Sequence, residues 1–141
     1  MAYSVPLLPR SLRLGAVLVV CTIIFYYSIL AIPPETPAPD LLELPTWRHV
    51  LAYVALGLSL AYAMTDRPLS RRRKALLVFA LATGYGAAIE LGQAFVPERH
   101  ASLGDVLVNA VAVTTSLGWY LLEPRLEFVR LSGSTSEERP P

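Results

Sequence analysis

Four apolar runs, each long enough to cross a lipid bilayer, constrain this chain more than any other feature of its sequence. They cover residues 14–32, 47–65, 75–95 and 106–122. A helix needs about 20 residues, at about 1.5 Å each, to span the hydrocarbon core. Backbone polar groups inside a bilayer must be satisfied within the protein, so such runs form helices. The sequence therefore predicts an all-α membrane protein, a bundle of four transmembrane helices.

The composition excludes several other classes of protein. Hydrophobic residues make up 54% of the chain and charged residues 16%, whereas soluble domains carry about 25% charged residues. The net charge of +1 argues against a general nucleic-acid binder, and the single cysteine, Cys21, excludes an internal disulfide and a multi-cysteine metal site. The sequence also lacks a Gly-rich phosphate loop and a His-rich pattern. We expect no metal and no cofactor.

Basic residues predict the orientation of the spans. Arg10 and Arg13 precede the first run and five basic residues lie within 67–74, whereas the loop 33–46 contains none. We expect both termini in the cytoplasm: a cytoplasmic segment 1–13, a transmembrane domain 14–122 and a cytoplasmic, partly disordered tail 123–141. The first run should be a span rather than a cleaved signal peptide, because no Ala-x-Ala site follows it. The predicted location is the cell membrane, with several crossings.

Polar residues interrupt three of the apolar runs near the predicted outer surface. Each of these three helices has two polar residues that are three or four positions apart, which places both on one face of the helix. The three pairs lie at similar depth in the membrane. An ionisable group inside a membrane costs at least about 2.5 kcal/mol, so we predict a polar pocket here. Its candidate residues on the second, third and fourth helices are His49, Tyr53, Glu90, Gln93, Asp105 and Asn109.

Arg99 lies in an outer loop, against the charge bias that orients the chain. It stands between Glu90 and Asp105, on helices joined by only about ten residues, so those helices should be antiparallel neighbours. A guanidinium group can donate hydrogen bonds to two oxygen atoms at once. We predict that Arg99 pairs with Glu90 or Asp105 and completes the pocket. Asp105 also suits the N-cap of the fourth helix, a role favoured over catalysis.

Small residues at four-residue spacing predict where helices approach each other closely. Glycine, alanine and serine let helix backbones come together in lipid. On the third helix they form one stripe, and on the fourth they continue the polar stripe. The predicted packing residues are Gly84, Ala88, Gly92, Ala112 and Ser116.

The spacing of the polar residues resembles that of the VanZ-like family, named for a glycopeptide-resistance protein. The resemblance rests on Glu90-x2-Gln93-x-Phe95-x-Pro97-x-Arg99-x2-Ser102-x2-Asp105-x3-Asn109, with His49-x3-Tyr53 upstream. The family usually has Asp-Lys just before its histidine, at positions occupied here by Pro45 and Thr46. The resemblance therefore implies a small polytopic membrane protein, without implying a lysine-dependent or otherwise defined reaction.

Three hypotheses for function remain open. A pocket with an arginine, a histidine and two carboxylates suits a headgroup of both charge signs. The leading hypothesis is therefore a protein that binds an amphiphilic cell-envelope component, with membrane lipids as partners and a role in glycopeptide resistance implied by the resemblance. The second is a membrane-embedded enzyme that uses His49 with Glu90 or Asp105 as acid and base, although no activated nucleophile is visible and no catalytic residue is assigned. The third is a structural protein whose polar network locks its helices.

Overall fold

Four long helices make up most of the fold. The computed structural model describes residues 3–31, 47–97, 99 and 101–130. The helices are α1 (Arg10–Phe25), extended by a π-helical segment (Tyr26–Leu30), α2 (Trp47–Ala63), α3 (Arg71–Gln93) and α4 (Leu103–Ser116). α2 contacts α1, α3 and α4, so it is the central helix of the group.

A two-stranded ribbon joins the two described ends of the chain. After α4, the one-turn helix α5 (Trp119–Leu122) and a 3₁₀ turn (Glu123–Arg125) lead into strand β2 (Leu126–Arg130). This strand pairs in parallel with β1 (Tyr3–Leu7). The predicted tail therefore begins with ordered structure, which its composition did not indicate. Residues 131–141 and the loop 33–46 lie outside the described residues.

Three stretches of helix within the described residues are long and apolar enough to cross a membrane. They are Arg10–Leu30, Arg71–Gln93 and Leu103–Arg125. α2 has 17 residues, about 25 Å at 1.5 Å per residue, which is slightly shorter than the hydrocarbon core. The prediction of a mostly helical chain with helices long and apolar enough to cross a membrane is confirmed. The bundle of four crossings and its orientation stay predictions.

Serine caps explain why α3 and α4 begin before their apolar runs. The Ser70 hydroxyl accepts a hydrogen bond from Arg73 N at 3.4 Å, and the Ser102 hydroxyl accepts one from Asp105 N at 3.2 Å. A side-chain acceptor at the N-cap satisfies one of the free N–H groups of the first turn. The first residues of α3 and α4, Arg71 and Leu103, therefore lie four and three residues before the predicted starts.

Side-chain contacts show that the four helices alternate in direction. Arg13, early in α1, binds Asp66 just after α2, and Lys74, early in α3, donates to Thr65 O at 2.7 Å. α1 and α3 therefore begin where α2 ends. We call this side of the bundle the ribbon end, because it carries β1 and β2, and the opposite side the Glu90 end.

An ion pair between the buried Arg13 and the partly exposed Asp66 helps to hold the ribbon end together. Arg13 is only 2% exposed and donates to both carboxylate oxygens of Asp66, at 2.9 and 2.6 Å. Nearby, the Tyr62 hydroxyl donates to Pro6 O at 2.7 Å and accepts from Leu8 N at 3.0 Å. The sequence assigned Arg13 only to membrane topology, whereas the structure also makes it the link between α1 and α2.

The core lies between α2, α3 and α4, and large apolar side chains cover the outside. The central buried cluster contains Ile24, Tyr53, Leu56, Ala82, Ile89, Ala112 and Val113. Large aliphatic side chains remain exposed on all four long helices, among them Leu18, Leu51, Leu76, Leu91 and Leu107. An apolar exterior of this kind suits contact with lipid rather than water.

Candidate functional site

Three polar side chains from three different helices are buried at the Glu90 end. Tyr53 on α2 is 2% exposed, Glu90 on α3 is 3% exposed and Asn109 on α4 is 1% exposed. Each leaves one polar atom without a hydrogen-bond partner: Tyr53 Oη, Glu90 Oε1 and Asn109 Nδ2. We call these three residues the buried polar cluster. Tyr53 packs against Gly86, one helical turn before Glu90 on α3, so Tyr53 and Glu90 are neighbours.

Gly86 makes room for the Tyr53 ring against α3. A Cβ at Gly86 would lie 2.9 Å from Tyr53 Cε1 and 3.2 Å from Tyr53 Oη, closer than side chains ordinarily pack. Gly86 precedes Glu90 by four residues, so both occupy one face of α3. The missing side chain therefore lets the phenol approach the helix face that carries the buried carboxylate.

Glu90 also fixes the start of α4. Its Oε2 accepts a hydrogen bond from Ser102 N at 3.0 Å, while the Ser102 hydroxyl caps the helix through Asp105 N. In a capping box, the third helical residue usually accepts the N–H of the capping residue. Glu90 fills that role from a neighbouring helix. The prediction that Asp105 is the N-cap is wrong, because Asp105 is the third residue of α4 and Ser102 is the cap.

His49 is positioned by Asn109. The distance from His49 Nδ1 to Asn109 Oδ1 is 3.2 Å, and since an amide oxygen only accepts, Nδ1 carries the proton in this arrangement. The enzyme hypothesis paired His49 with Glu90 or Asp105. Among the described residues, no ion pair within 4.0 Å joins His49 to either carboxylate, although His49 and Asp105 both lie within electrostatic range of Glu90.

Gln93 and Arg99 bind the end of the first helix rather than the cluster. Gln93 Nε2 donates to Ser28 O at 3.2 Å, and Arg99 Nη2 donates to Tyr27 O at 3.0 Å and Ala31 O at 2.7 Å. Carbonyl groups at a helix C-terminus lack partners within the helix and carry partial negative charge. The predicted pairing of Arg99 with Glu90 or Asp105 is therefore wrong, because these carbonyls take its hydrogen bonds.

Comparison with protein families identifies the family of this chain. A sequence model of the VanZ/LLP1 family matches residues 14–123, which include all four long helices from early in α1 onward. The chain belongs to the VanZ/LLP1 family. Comparison with curated proteins and with solved structures found no match. The family and the three span-length helices fit a VanZ-like membrane protein.

Two of the three small residues predicted as a packing stripe on α3 do not pack against another helix of this VanZ-like chain. Gly84 and Ala88 are exposed, and a Cβ at Gly84 would meet nothing within 4 Å, whereas one at Gly92 would lie 3.2 Å from Ile29. The prediction is therefore wrong for the first two residues. The buried face of α3 is instead rotated toward Val78, Ala82, Gly86, Ile89, Glu90 and Gln93.

On α4, Ala112 and Ser116 are buried, and Ser116 packs against a glycine that sequence reasoning missed. A Cβ at Gly57 would lie 2.8 Å from Ser116 Cβ and would collide with the serine hydroxyl. Gly57 follows Tyr53 by four residues, so a glycine on the polar face of α2 was the available signal. It lets α2 and α4 approach each other next to the buried polar cluster.

A separate cavity of about 460 Å³ lies at the ribbon end of the VanZ-like fold. It is lined by Tyr3, Val5, Trp119, Leu122, Arg125 and Leu126 and is thus remote from the buried polar cluster. In the part of the chain that the structure describes, no three His, Cys, Asp or Glu side chains are grouped to hold a metal ion.

Proposed function

We propose that this VanZ-like protein crosses the cell membrane four times and binds the polar headgroup of an amphiphilic cell-envelope component at its Glu90 end. The observation that carries the proposal is the buried polar cluster. Tyr53, Glu90 and Asn109 are almost fully buried, yet each leaves a polar atom without a partner. Buried polar atoms are nearly always hydrogen-bonded, and each unpaired one costs about 1–3 kcal/mol. A bound headgroup would supply the missing partners.

The pairing of β1 with β2 supports four crossings. It places residues 3–7 beside residues 126–130, so the described chain starts and finishes at the same end of the bundle. A chain that crosses the membrane an even number of times starts and finishes on the same side. Three helices are long enough to cross, and α2, which is slightly shorter, would supply the fourth crossing. Arg67 and the basic start of α3, residues 71–74, lie at the ribbon end, so the positive-inside rule places that end in the cytoplasm and the cluster outside.

Labelling of single cysteines tests this topology. In a Cys21→Ser background, Ser70→Cys reports on the ribbon end and Ala101→Cys on the Glu90 end. A reagent that cannot cross the membrane should label position 101 in intact cells and position 70 only after lysis. Labelling of position 70 from outside would contradict the proposed orientation, and labelling of both positions would contradict the assignment of four crossings.

Thermal unfolding of the purified protein with added lipid tests the binding. A ligand that binds only the folded state stabilises it by about 2.7 kcal/mol at 100 times Kd. Lipids extracted from the host envelope should therefore raise the unfolding midpoint of the wild-type protein. Glu90→Gln should remove most of this rise, whereas Glu127→Gln, an exposed carboxylate of β2, should keep it. Equal rises in all three proteins would contradict binding at Glu90.

A growth assay tests the physiological part of the proposal. If the protein handles an envelope component, a deletion strain should change its sensitivity to envelope-directed antibiotics, including glycopeptides. The wild-type chain and Glu127→Gln should restore the original sensitivity, and Glu90→Gln should not. Full restoration by Glu90→Gln, with normal protein levels in the membrane, would separate any role in resistance from the cluster.

A further inference from the structure

The Glu90 side chain is buried with fewer hydrogen-bond partners than an ionised carboxylate requires. One oxygen accepts a single backbone N–H, from Ser102 at 3.0 Å, and the other has no partner. A carboxylate has about four acceptor sites, and a charge removed from water is stable only when it is paired and hydrogen-bonded. The side chain is 3% exposed, so bulk water does not supply the missing hydrogen bonds. A group that donates hydrogen bonds is missing beside Oε1.

Four of the cationic side chains described in the structure bind elsewhere, and His49 is hydrogen-bonded to Asn109 through Nδ1. Arg13 and Lys74 form ion pairs at the ribbon end, and these are the ion pairs within 4.0 Å among the described residues. Arg99 donates to carbonyls at the end of the first helix, and Arg48 lies over the ring of its neighbour Trp47. None of these arginines or lysines supplies the counter-charge of Glu90.

We infer, on the basis of the binding function proposed above, that the bound amphiphile carries a primary ammonium group that donates to Glu90. An ammonium has three N–H donors. One fits the unpaired Oε1 of Glu90, and Tyr53 Oη, also without a partner, offers a second acceptor nearby.

The other unpaired group of the cluster selects the neighbouring part of the headgroup. Asn109 Oδ1 accepts a hydrogen bond from His49, and Asn109 Nδ2 remains a donor without an acceptor. A phosphate or other anionic oxygen next to the ammonium would satisfy it. The chemistry that fits both sides is thus a zwitterionic headgroup with a primary amine, such as phosphoethanolamine. A trimethylammonium group fits less well, because it has no N–H to donate and is bound by aromatic cages.

A series of phospholipids that share the same acyl chains tests this inference on the full-length protein in a neutral detergent. The series runs from phosphatidylethanolamine through its mono- and dimethyl forms to phosphatidylcholine, with phosphatidylglycerol as the lipid without an amine. Thermal unfolding gives the concentration of each lipid that produces half of the maximal stabilisation. We expect this concentration to rise with each methyl group and to be about tenfold or more higher for phosphatidylcholine than for phosphatidylethanolamine, since charge-assisted hydrogen bonds are lost.

Two variants place the preference at Glu90. Glu90→Gln keeps an oxygen to accept the Ser102 N–H but removes the charge, so it should respond equally to the ethanolamine and choline lipids. Glu127→Gln, in the exposed strand, should keep the wild-type preference. The wild-type series stands by itself if Glu90→Gln fails to fold.

The outcomes separate this inference from the proposed function. Equal stabilisation of the wild type by the ethanolamine, choline and glycerol lipids would overturn the ammonium inference and leave amphiphile binding in place. Stabilisation by none of them, or equally by soluble phosphoethanolamine without chains, would overturn the proposed binding of an amphiphile as well. A preference for phosphatidylethanolamine that survives in Glu90→Gln would move the amine site away from Glu90 and also overturn the inference.

Discussion

Replacement of Gly86 by alanine tests the close approach between α2 and α3 that shapes the buried polar cluster. The new Cβ would lie 2.9 Å from Tyr53 Cε1 and 3.2 Å from both Cζ and Oη of that ring. Tyr53 is 2% exposed, so the ring cannot turn out into the surroundings of the protein to avoid the clash. Overpacking of a fitted site costs about 1–3 kcal/mol, while alanine gains up to about 1 kcal/mol over glycine in helix propensity. Gly86→Ala should therefore be neutral to about 2 kcal/mol less stable than the wild type.

Gly84 provides the matched control, because it lies in the same helix and a Cβ there meets nothing within 4 Å. Gly84→Ala has the same gain in helix propensity without the clash, so the difference between the two variants isolates the contact with Tyr53. We expect Gly86→Ala to be about 1–3 kcal/mol less stable than Gly84→Ala. Reversible unfolding of the purified variants in mixed micelles measures the two free energies. Equal values for the two variants would refute the close packing of Tyr53 on Gly86.

Two further predictions concern the helix cap and the ribbon end. Ser102→Ala should cost about 0.5–2 kcal/mol through loss of the N-cap, with a smaller cost for Asp105→Ala; an equal or reversed order in the same unfolding assay would restore Asp105 as the cap. The hydrogen bond from Arg13 lowers the pKa of Asp66 below its ordinary 3.8, so the ionised Asp66 stabilises the fold above that pH and the contribution is lost as the pH falls through the lowered pKa. The advantage of the wild type over Asp66→Asn should therefore be constant above about pH 4 and shrink below it, and an advantage that grows on acidification would contradict the ion pair.

The helices were predictable from the sequence because a long run of consecutive apolar residues indicates a membrane-spanning helix without knowledge of the tertiary structure. The apolar runs located all four helices, but α3 begins four residues and α4 three residues before its run, and α4 ends at Ser116 rather than at residue 122. The two early starts were missed because the capping residues Ser70 and Ser102 lie in polar sequence outside the runs. The ribbon was not predictable, because pairing of residues 3–7 with 126–130 depends on where the helices bring the two ends of the chain.

For the candidate site, the sequence indicated which polar residues lie at the same end of the bundle, but not which partner each of them contacts. The spacing of Glu90, Asn109 and Tyr53 placed them at one end of the bundle, where the structure finds them. The partner of Arg99 was missed because backbone carbonyls have no signature in a sequence. The contact at Gly86 was missed because glycine spacing shows only which residues are small, and the rotation of α3 decides which of them meet a neighbour.

The most direct test of the account asks whether the buried polar cluster is a binding site or a packing network. The measurement is the free energy of unfolding of wild type, Glu90→Gln and Asn109→Ala, each without lipid and with saturating envelope lipid. A binding site predicts that Glu90→Gln is at least as stable as the wild type without lipid, because an uncompensated buried charge is removed, and that both variants gain little when lipid is added. Both variants losing stability without lipid, and then gaining as much from lipid as the wild type, would show that the cluster only holds the helices together.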